Sequence, residues 1–184
     1  MSNWFVGLPV PAADWFAPLV AGAPSCVRLF HPDDVHITVA FLGRAGEERA
    51  LLAWEVVRDL RCEPIEVTLA ELKGFGSSRR PSALSVTIAE GHDEVAALIA
   101  RLRGPMIEAA GARPDDRPPL PHLTIARPSR GATPAVRKEA VRWAESKGAV
   151  NARVVLDSIA LFTWSEDRKE RQFRAFRKRA LRAG

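Results

Sequence analysis

Hydrophobic and polar positions change period several times along the chain, and each change marks an element. Trp4 to Val10 is a near-continuous apolar run that predicts a strand, and about Pro11 to Ala21 predicts a helix with Pro11 tolerated in its first turn. Arg28-Leu29-Phe30 predicts a short strand. Turn chemistry at Pro32-Asp33-Asp34 leads into a further strand over Val35 to Leu42, stopped by Gly43. Between Glu47 and Arg61, residues Leu51, Leu52, Trp54, Val56, Val57 and Leu60 follow helical spacing, and Pro64 closes that helix. Ile65 to Leu72 and Ser82 to Ala89 then alternate as strands around a loop from Gly74 to Pro81.

The second half repeats this grammar. Val95, Leu98, Ile99, Leu102, Met106 and Ile107 predict a helix over Glu94 to Ala110, with Gly104-Pro105 expected to kink or restart it. Gly111 to Pro121 is loop, and a strand runs from there to Arg127-Pro128. Thr133 is an N-cap for a helix over Thr133 to Lys147, with Pro134 at its first position. Ala149 to Thr163 holds one or two strands, and Gln172 to Arg177 the last.

Two of these strands carry the same tetrapeptide, His36-Ile37-Thr38-Val39 and His122-Leu123-Thr124-Ile125, separated by 86 positions. Residues i and i+2 of a strand share a face, so each copy presents His and Thr together while the aliphatic residues enter a packed layer. A helix and two strands follow each copy. An internal duplication with pseudo-twofold symmetry is the economical explanation, and it would bring both motif strands to a shared central cleft. Two lobes in one compact unit spanning residues 1–184 are expected.

Composition narrows the classes. With 184 residues, 47% of them apolar and 27% charged, the chain can bury a real core and shows no disorder bias. Pro9, Pro11 and Asp14 interrupt the apolar start before a secretory core could form, and no run approaches the roughly 18 apolar residues of a membrane helix. Cys26 and Cys62 make no disulfide framework, so a reducing cytoplasm is the expected location, with no membrane association. The net charge of +5 is uneven: Arg168 to Gly184 holds eight Lys or Arg and one acid, Glu170, leaving 19 basic and 21 acidic residues elsewhere. That segment suits an anionic partner or simply a solvated edge.

The paired motif supplies its own chemistry. Imidazole titrates near pH 6.5, so two in one site can act as general base and general acid. Phosphodiester hydrolysis needs both, and each role contributes about 10²- to 10⁴-fold. Thr38 and Thr124 would donate to the nonbridging phosphate oxygens as charge accumulates there. Neither a metal nor a cofactor is then required. His31, His92, Cys26 and Cys62 are scattered without a zinc spacing, no GxSxG elbow is present, and phosphate-binding glycine motifs are absent. His31 is expected in a surface turn.

Both motifs and their surroundings resemble the 2H phosphoesterases, defined by two HxTx motifs. Trp4-Phe5-Val6, Val35-His36-Ile37-Thr38-Val39-Ala40-Phe41-Leu42-Gly43, Pro121-His122-Leu123-Thr124-Ile125-Ala126-Arg127-Pro128 and the segment Leu161 to Leu181 are most similar to the bacterial and archaeal RNA 2',3'-cyclic phosphodiesterases, also called 2'-5' RNA ligases. The resemblance implies an α+β fold of two pseudo-twofold-related lobes, with antiparallel sheets lining the cleft and helices outside, and hydrolysis of a terminal 2',3'-cyclic phosphate to a 2'-phosphate, with reversible 2'-5' ligation. It implies His36 as proton donor and His122 as proton acceptor, and Phe41 and Arg127, each five residues after its histidine, as the pair that sandwiches the terminal base. Expected partners are RNA ends or nucleotide cyclic phosphates, met by a monomeric chain.

Two departures stand out. The family commonly has Tyr in the closing strand, whereas this chain contains no tyrosine and offers Phe173. The Gly74 to Pro81 loop adds Arg79 and Arg80, which could line the cleft or simply turn. Alternative substrates are 2'-5' oligonucleotides or an ADP-ribose-type cyclic phosphate. A noncatalytic RNA-end module is the remaining class, although retention of both imidazoles argues against it.

Overall fold

Ile37, Val39, Leu123 and Ile125, the aliphatic partners within the two motifs, are each at most 1% exposed and seat both motif strands in the core. Burying each such side chain contributes about 1.5–3 kcal/mol, so the strand parity of both motifs is strongly enforced. The computed structural model describes residues 2–77 and 80–183. Its strands are β1 (Trp4–Pro9), β2 (Val27–Leu29), β3 (His36–Gly43), β4 (Ile65–Ser77), β5 (Arg80–Ile88), β6 (His122–Pro128), β7 (Arg153–Leu156), β8 (Ser158–Trp164) and β9 (Phe173–Ala180). The helices are α1 (Phe16–Val20), α2 (Glu47–Glu55), α3 (His92–Ala110) and α4 (Pro134–Glu145), with a single 3-10 turn at Pro32–Asp34.

The strands form one curled antiparallel sheet in the order β7-β4-β5-β6-β3-β1-β8-β9, with β2 on the free side of β6. Its centre is a single residue pair, Ile37 with Leu123, after which β3 and β6 diverge. The divergence opens the cleft. β2 takes the edge of β6 that β3 leaves, pairing Val27, Arg28 and Leu29 with Pro128, Arg127 and Ala126. Outward from the centre the order is symmetric, with β3, β1, β8 and β9 mirrored by β6, β5, β4 and β7.

Chain order crosses this symmetry. The strand that follows α2, β4, pairs with β5 in the half containing the second motif. After α4, β8 likewise pairs with β1 in the half containing the first. Each half therefore borrows a strand from the other repeat, and the two halves interlock. Helix α3 packs against β3 with α2 outside it, and α4 packs against β4, β5 and β6. The apolar face of α3, including Val95, Ile99 and Met106, is buried there.

Several boundaries differ from sequence expectation. Helix α1 begins at Phe16 rather than Pro11 because Pro18 lies within this segment. A start at Phe16 places Pro18 in the first turn, where no intrahelical N–H is needed; a start at Pro11 would put it in the interior. Helix α2 stops at Glu55, short of Arg61, and the carbonyls of Val57 and Arg58 are taken by the Arg179 guanidinium instead. Pro105 lies inside α3, which runs on without a restart. Gly104 before it leaves open space where a Cβ would stand. Thr133 does cap α4, its Oγ1 accepting from Val136 N at 3.3 Å.

The expected Gly74–Pro81 loop is largely strand. β4 continues to Ser77 and pairs with β5 through Phe75–Ala83, Gly76–Pro81 and Ser77–Arg80. A register shift falls at Gly76, whose φ of +108° and 2.8 Å approach to Ser82 Oγ exclude a side chain. Arg80 begins β5 at the tip of this hairpin, and Arg79 lies outside the described residues.

Candidate active site

Matching bulges decide which side chains share the cleft. On β3, Val6 pairs with Ala40 but Gly7 pairs with Thr38, so Val39 is an extra residue. On β6, Leu84 pairs with Ala126 but Ser85 pairs with Thr124, so Ile125 is the extra residue. Each bulge reverses the alternation after the threonine. Phe41 and Arg127, an odd five residues after their histidines, thereby emerge on the same face as His and Thr. Phe41 is 55% exposed, unusual for a phenyl ring and consistent with a stacking surface. The carbonyl left by the Val39 bulge accepts from Arg103 Nε at 3.4 Å.

The two imidazoles are held alike. His36 Nδ1 lies 2.7 Å from the carbonyl of Asp34, and His122 Nδ1 lies 2.7 Å from the carbonyl of Leu120, each two residues upstream. A carbonyl only accepts, so both Nδ1 atoms carry hydrogen and both Nε2 atoms are left for proton transfer. Each ring also rests on a phenyl group. Phe5 stacks on His36 with centroids 4.5 Å apart, and Phe75 stacks on His122 at 4.6 Å.

Beyond that the sites diverge. Phe162 and Phe173 stand 5.4 and 5.5 Å from His36, completing an apolar collar with Phe5. Burial in that collar pushes the His36 imidazole down from its ordinary value to about 4, against the partly restoring effect of the Asp34 carbonyl and carboxylate. His122 is half-buried. Strand registers make Phe75 the counterpart of Phe162, and Ala83 the small counterpart of Phe5. Replacement of that phenyl by a methyl group is why the second ring remains open to solvent.

The threonines differ for the same reason. Ser85, fully buried, shares a 3.0 Å hydrogen bond with Thr124 Oγ1. Its counterpart beside Thr38 is Gly7. A Cβ at Gly7 would meet the Ile37 carbonyl oxygen at 2.8 Å and His36 Cδ2 at 3.4 Å, so β1 approaches β3 closely only as glycine.

Asp34 is a residue that motif analysis passed over. Its buried carboxylate accepts from Gln172 N at 2.7 Å and Phe173 N at 3.3 Å, with Arg171 Nε 3.6 Å away. One residue thus ties His36 Nδ1 to the start of β9, the strand that presents Phe173. Its place in a Pro-Asp-Asp turn looks like ordinary turn chemistry, which hides the role. Phe5, Phe75, Phe162 and Ser85 were equally silent because each reaches the site from a different strand.

Among the described residues no group of three or more His, Cys, Asp or Glu side chains gathers at metal-ligating geometry. No helix there is long and apolar enough to cross a membrane. Cys26 and Cys62 are free, and His31 lies in a turn, its Nδ1 accepting from Asp33 N at 3.2 Å.

A family model described as the 2'-5' RNA ligase superfamily matches residues 12–168. The chain belongs to the 2'-5' RNA ligase superfamily. Within curated relatives of this superfamily, the chain is 28% identical over 134 residues to the RNA 2',3'-cyclic phosphodiesterase of Bacillus subtilis (strain 168), covering 68% of this chain and 70% of that protein. Its fold is that of Escherichia coli LigT, solved with 3'-AMP, at TM-score 0.75, 20% identity and 98% coverage of both chains. The Thermus thermophilus protein TT0787 is similar at TM-score 0.66, 20% identity and the same 98% coverage of both chains. In this superfamily member, Phe173 stands where the resemblance expects Tyr, and its ring meets His36 edge-on at 88°.

Proposed function

We propose that this chain hydrolyses the terminal 2',3'-cyclic phosphate of RNA to a 2'-phosphate without a metal ion, with His36 as proton donor and His122 as proton acceptor. Superfamily membership and the Bacillus subtilis relative support a phosphoesterase. One observation carries the acid-base mechanism: the matched anchoring of both Nδ1 atoms at 2.7 Å, which leaves two Nε2 atoms and two threonine hydroxyls on one cleft face.

In this mechanism His122 Nε2 takes a proton from water as its oxygen bonds to phosphorus. The bond from phosphorus to the 3' oxygen breaks, and His36 Nε2 delivers its proton there, leaving a 2'-phosphomonoester and a 3'-hydroxyl. Thr38 and Thr124 donate to the nonbridging oxygens. Phe41 and Arg127 hold the terminal base between them. A ribose 5'-hydroxyl attacking in place of water, with the same P–O3' bond breaking and its proton passing to His122, gives a 2'-5' linkage instead.

The depressed His36 value of about 4 means that its proton arrives with the substrate. A unit negative charge at about 4 Å contributes roughly 4 kcal/mol at an effective dielectric of about 20. That corresponds to about three pH units, enough to protonate His36 near neutrality once the phosphate is bound.

The test is product analysis on a 2',3'-cyclic-phosphate oligonucleotide in EDTA. Conversion to a 2'-phosphate is expected, and His36→Ala and His122→Ala should each remove about 10²-fold or more of the rate. Unchanged substrate, strict metal dependence, or a near-wild-type rate in either variant would overturn the mechanism.

A further inference from the structure

Four arginines converge beside the cleft from three separate segments. Arg28 on β2 pairs directly across from Arg127 on β6, so both side chains leave the same face. Arg130 follows β6 within three residues, and Arg168 sits on the loop joining β8 to β9, its guanidinium 4.1 Å from the centroid of Trp164. Arg28 is held below the ordinary arginine value by burial and then by repulsion from Arg168 and Arg130, and Arg127 by burial and then by Arg28. Among the described residues none of the four makes an ion pair within 4.0 Å, whereas Arg58, Arg103, Arg117 and Arg171 all do.

Unpaired cations that repel one another are costly to assemble, and an anion placed among them removes that cost. Arg127 is already assigned to the terminal nucleotide, which leaves three cations beyond it. Elsewhere in the basic C-terminal segment Arg171 pairs with Asp33 and Asp34, Arg179 holds the carbonyls after α2, and Arg174 and Arg177 flank Phe176. Arg168 alone among these is committed to the cleft side with Arg28.

We infer that Arg28, Arg130 and Arg168 form a track for the phosphates 5'-ward of the reacting nucleotide, making the preferred substrate an RNA strand rather than a small cyclic nucleotide. This rests on the hydrolase proposal and deepens it. Three separate phosphates match three cations on different segments, whereas an ADP-ribose-type molecule offers two adjacent charges. Arg168 over Trp164 also adds an aromatic surface at the far side, suited to a second base.

The experiment compares kcat/KM for a 2',3'-cyclic mononucleotide, an ADP-ribose cyclic phosphate and cyclic-phosphate RNA oligomers of increasing length, at several salt concentrations. Efficiency should rise about 10-fold or more over the first three added phosphates. For the longer oligomers, log kcat/KM should fall with log salt at a slope near about −2, from roughly −0.7 per phosphate contacted on single strands. Arg28→Ala and Arg168→Ala should each lower the oligomer-to-mononucleotide ratio several-fold and flatten that slope by about 0.7, with Arg28→Lys and Arg168→Lys largely restoring both. A ratio independent of length, or equal efficiency on the ADP-ribose compound and the oligomers, would overturn the track while leaving the hydrolase intact. If no substrate turns over, the hydrolase proposal fails instead, and anisotropy of a labelled oligomer on the same variants then decides the track: affinity unchanged by Arg28→Ala and Arg168→Ala refutes it.

Discussion

Ile37 pairs with Leu123, and through this one pairing the two motif strands meet. These residues occupy the same place in the two tetrapeptides, so the pseudo-twofold axis passes between them and each histidine is the image of the other. The neighbourhoods are not images. A phenyl at Phe5 is matched by a methyl at Ala83, and a bare Gly7 by a hydroxyl at Ser85, so one duplicated unit yields one buried imidazole and one half-buried imidazole.

His36 makes the pH profile diagnostic. In the free protein its imidazole titrates at about 4 and a proton donor is lost as pH rises, so the donor limb of kcat/KM, on which activity falls with rising pH, should centre near that value. In kcat the same limb should move upward by as much as about three units, because bound phosphate favours the imidazolium. Coincident donor limbs in the two profiles would refute the coupling of His36 protonation to substrate.

Stability carries the same signature with a defined sign. The folded value of about 4 lies below the ordinary 6.5, so between them the unfolded chain binds more protons. Stability is full above 6.5 and declines as pH falls toward 4, by about 3 kcal/mol in total from this group. Denaturant melts of His36→Gln should show a correspondingly flatter decline over that range, and parallel curves would contradict the burial assigned to His36.

Gly7 predicts a steric effect on catalysis. Gly7→Ala places a methyl 2.8 Å from the Ile37 carbonyl and against His36 Cδ2, which should cost about 1–3 kcal/mol of stability and displace the ring. Chemical denaturation and single-turnover rates should both fall. A variant as stable and active as the parent would mean that β1 yields freely.

Ser85 and Thr124 form the one internal hydroxyl pair in the site. Thr124→Ala should lower kcat by about 10²- to 10³-fold if that hydroxyl stabilises the transition state. Ser85→Ala removes only the 3.0 Å bond that orients it, about 1 kcal/mol or roughly fivefold. Equal losses in both variants would place the stabilisation on Ser85 instead.

Asp34→Asn separates positioning from charge. The amide keeps the main-chain bond to His36, weakens the hydrogen bonds from Gln172 N and Phe173 N, each contributing about 1.5–3 kcal/mol when charge-assisted, and gives up the ion pair with Arg171. The melting temperature should drop, and the donor limb of kcat/KM should shift as Phe173 leaves the ring. A lower melting temperature with an unmoved donor limb would confine Asp34 to stability.

Much of this arrangement is written in local pattern. Alternation of His and Thr with Ile, Val and Leu determines that both motifs are strands with the polar pair on one face, because the buried aliphatic side chains permit only that parity. Thr133-Pro134 likewise declares the start of α4. The long-range partners are different in kind. Nothing in Gly-Phe-Gly announces that β4 extends to Ser77 and lays Phe75 on His122, since the extension depends on pairing with β5. Nor does alternation foretell the bulges at Val39 and Ile125 that return Phe41 and Arg127 to the cleft, because a bulge is defined by the neighbouring strand's register. The chain specifies which groups are available for chemistry; the exchange of strands between halves decides which imidazole is buried, because burial is set by side chains remote in sequence.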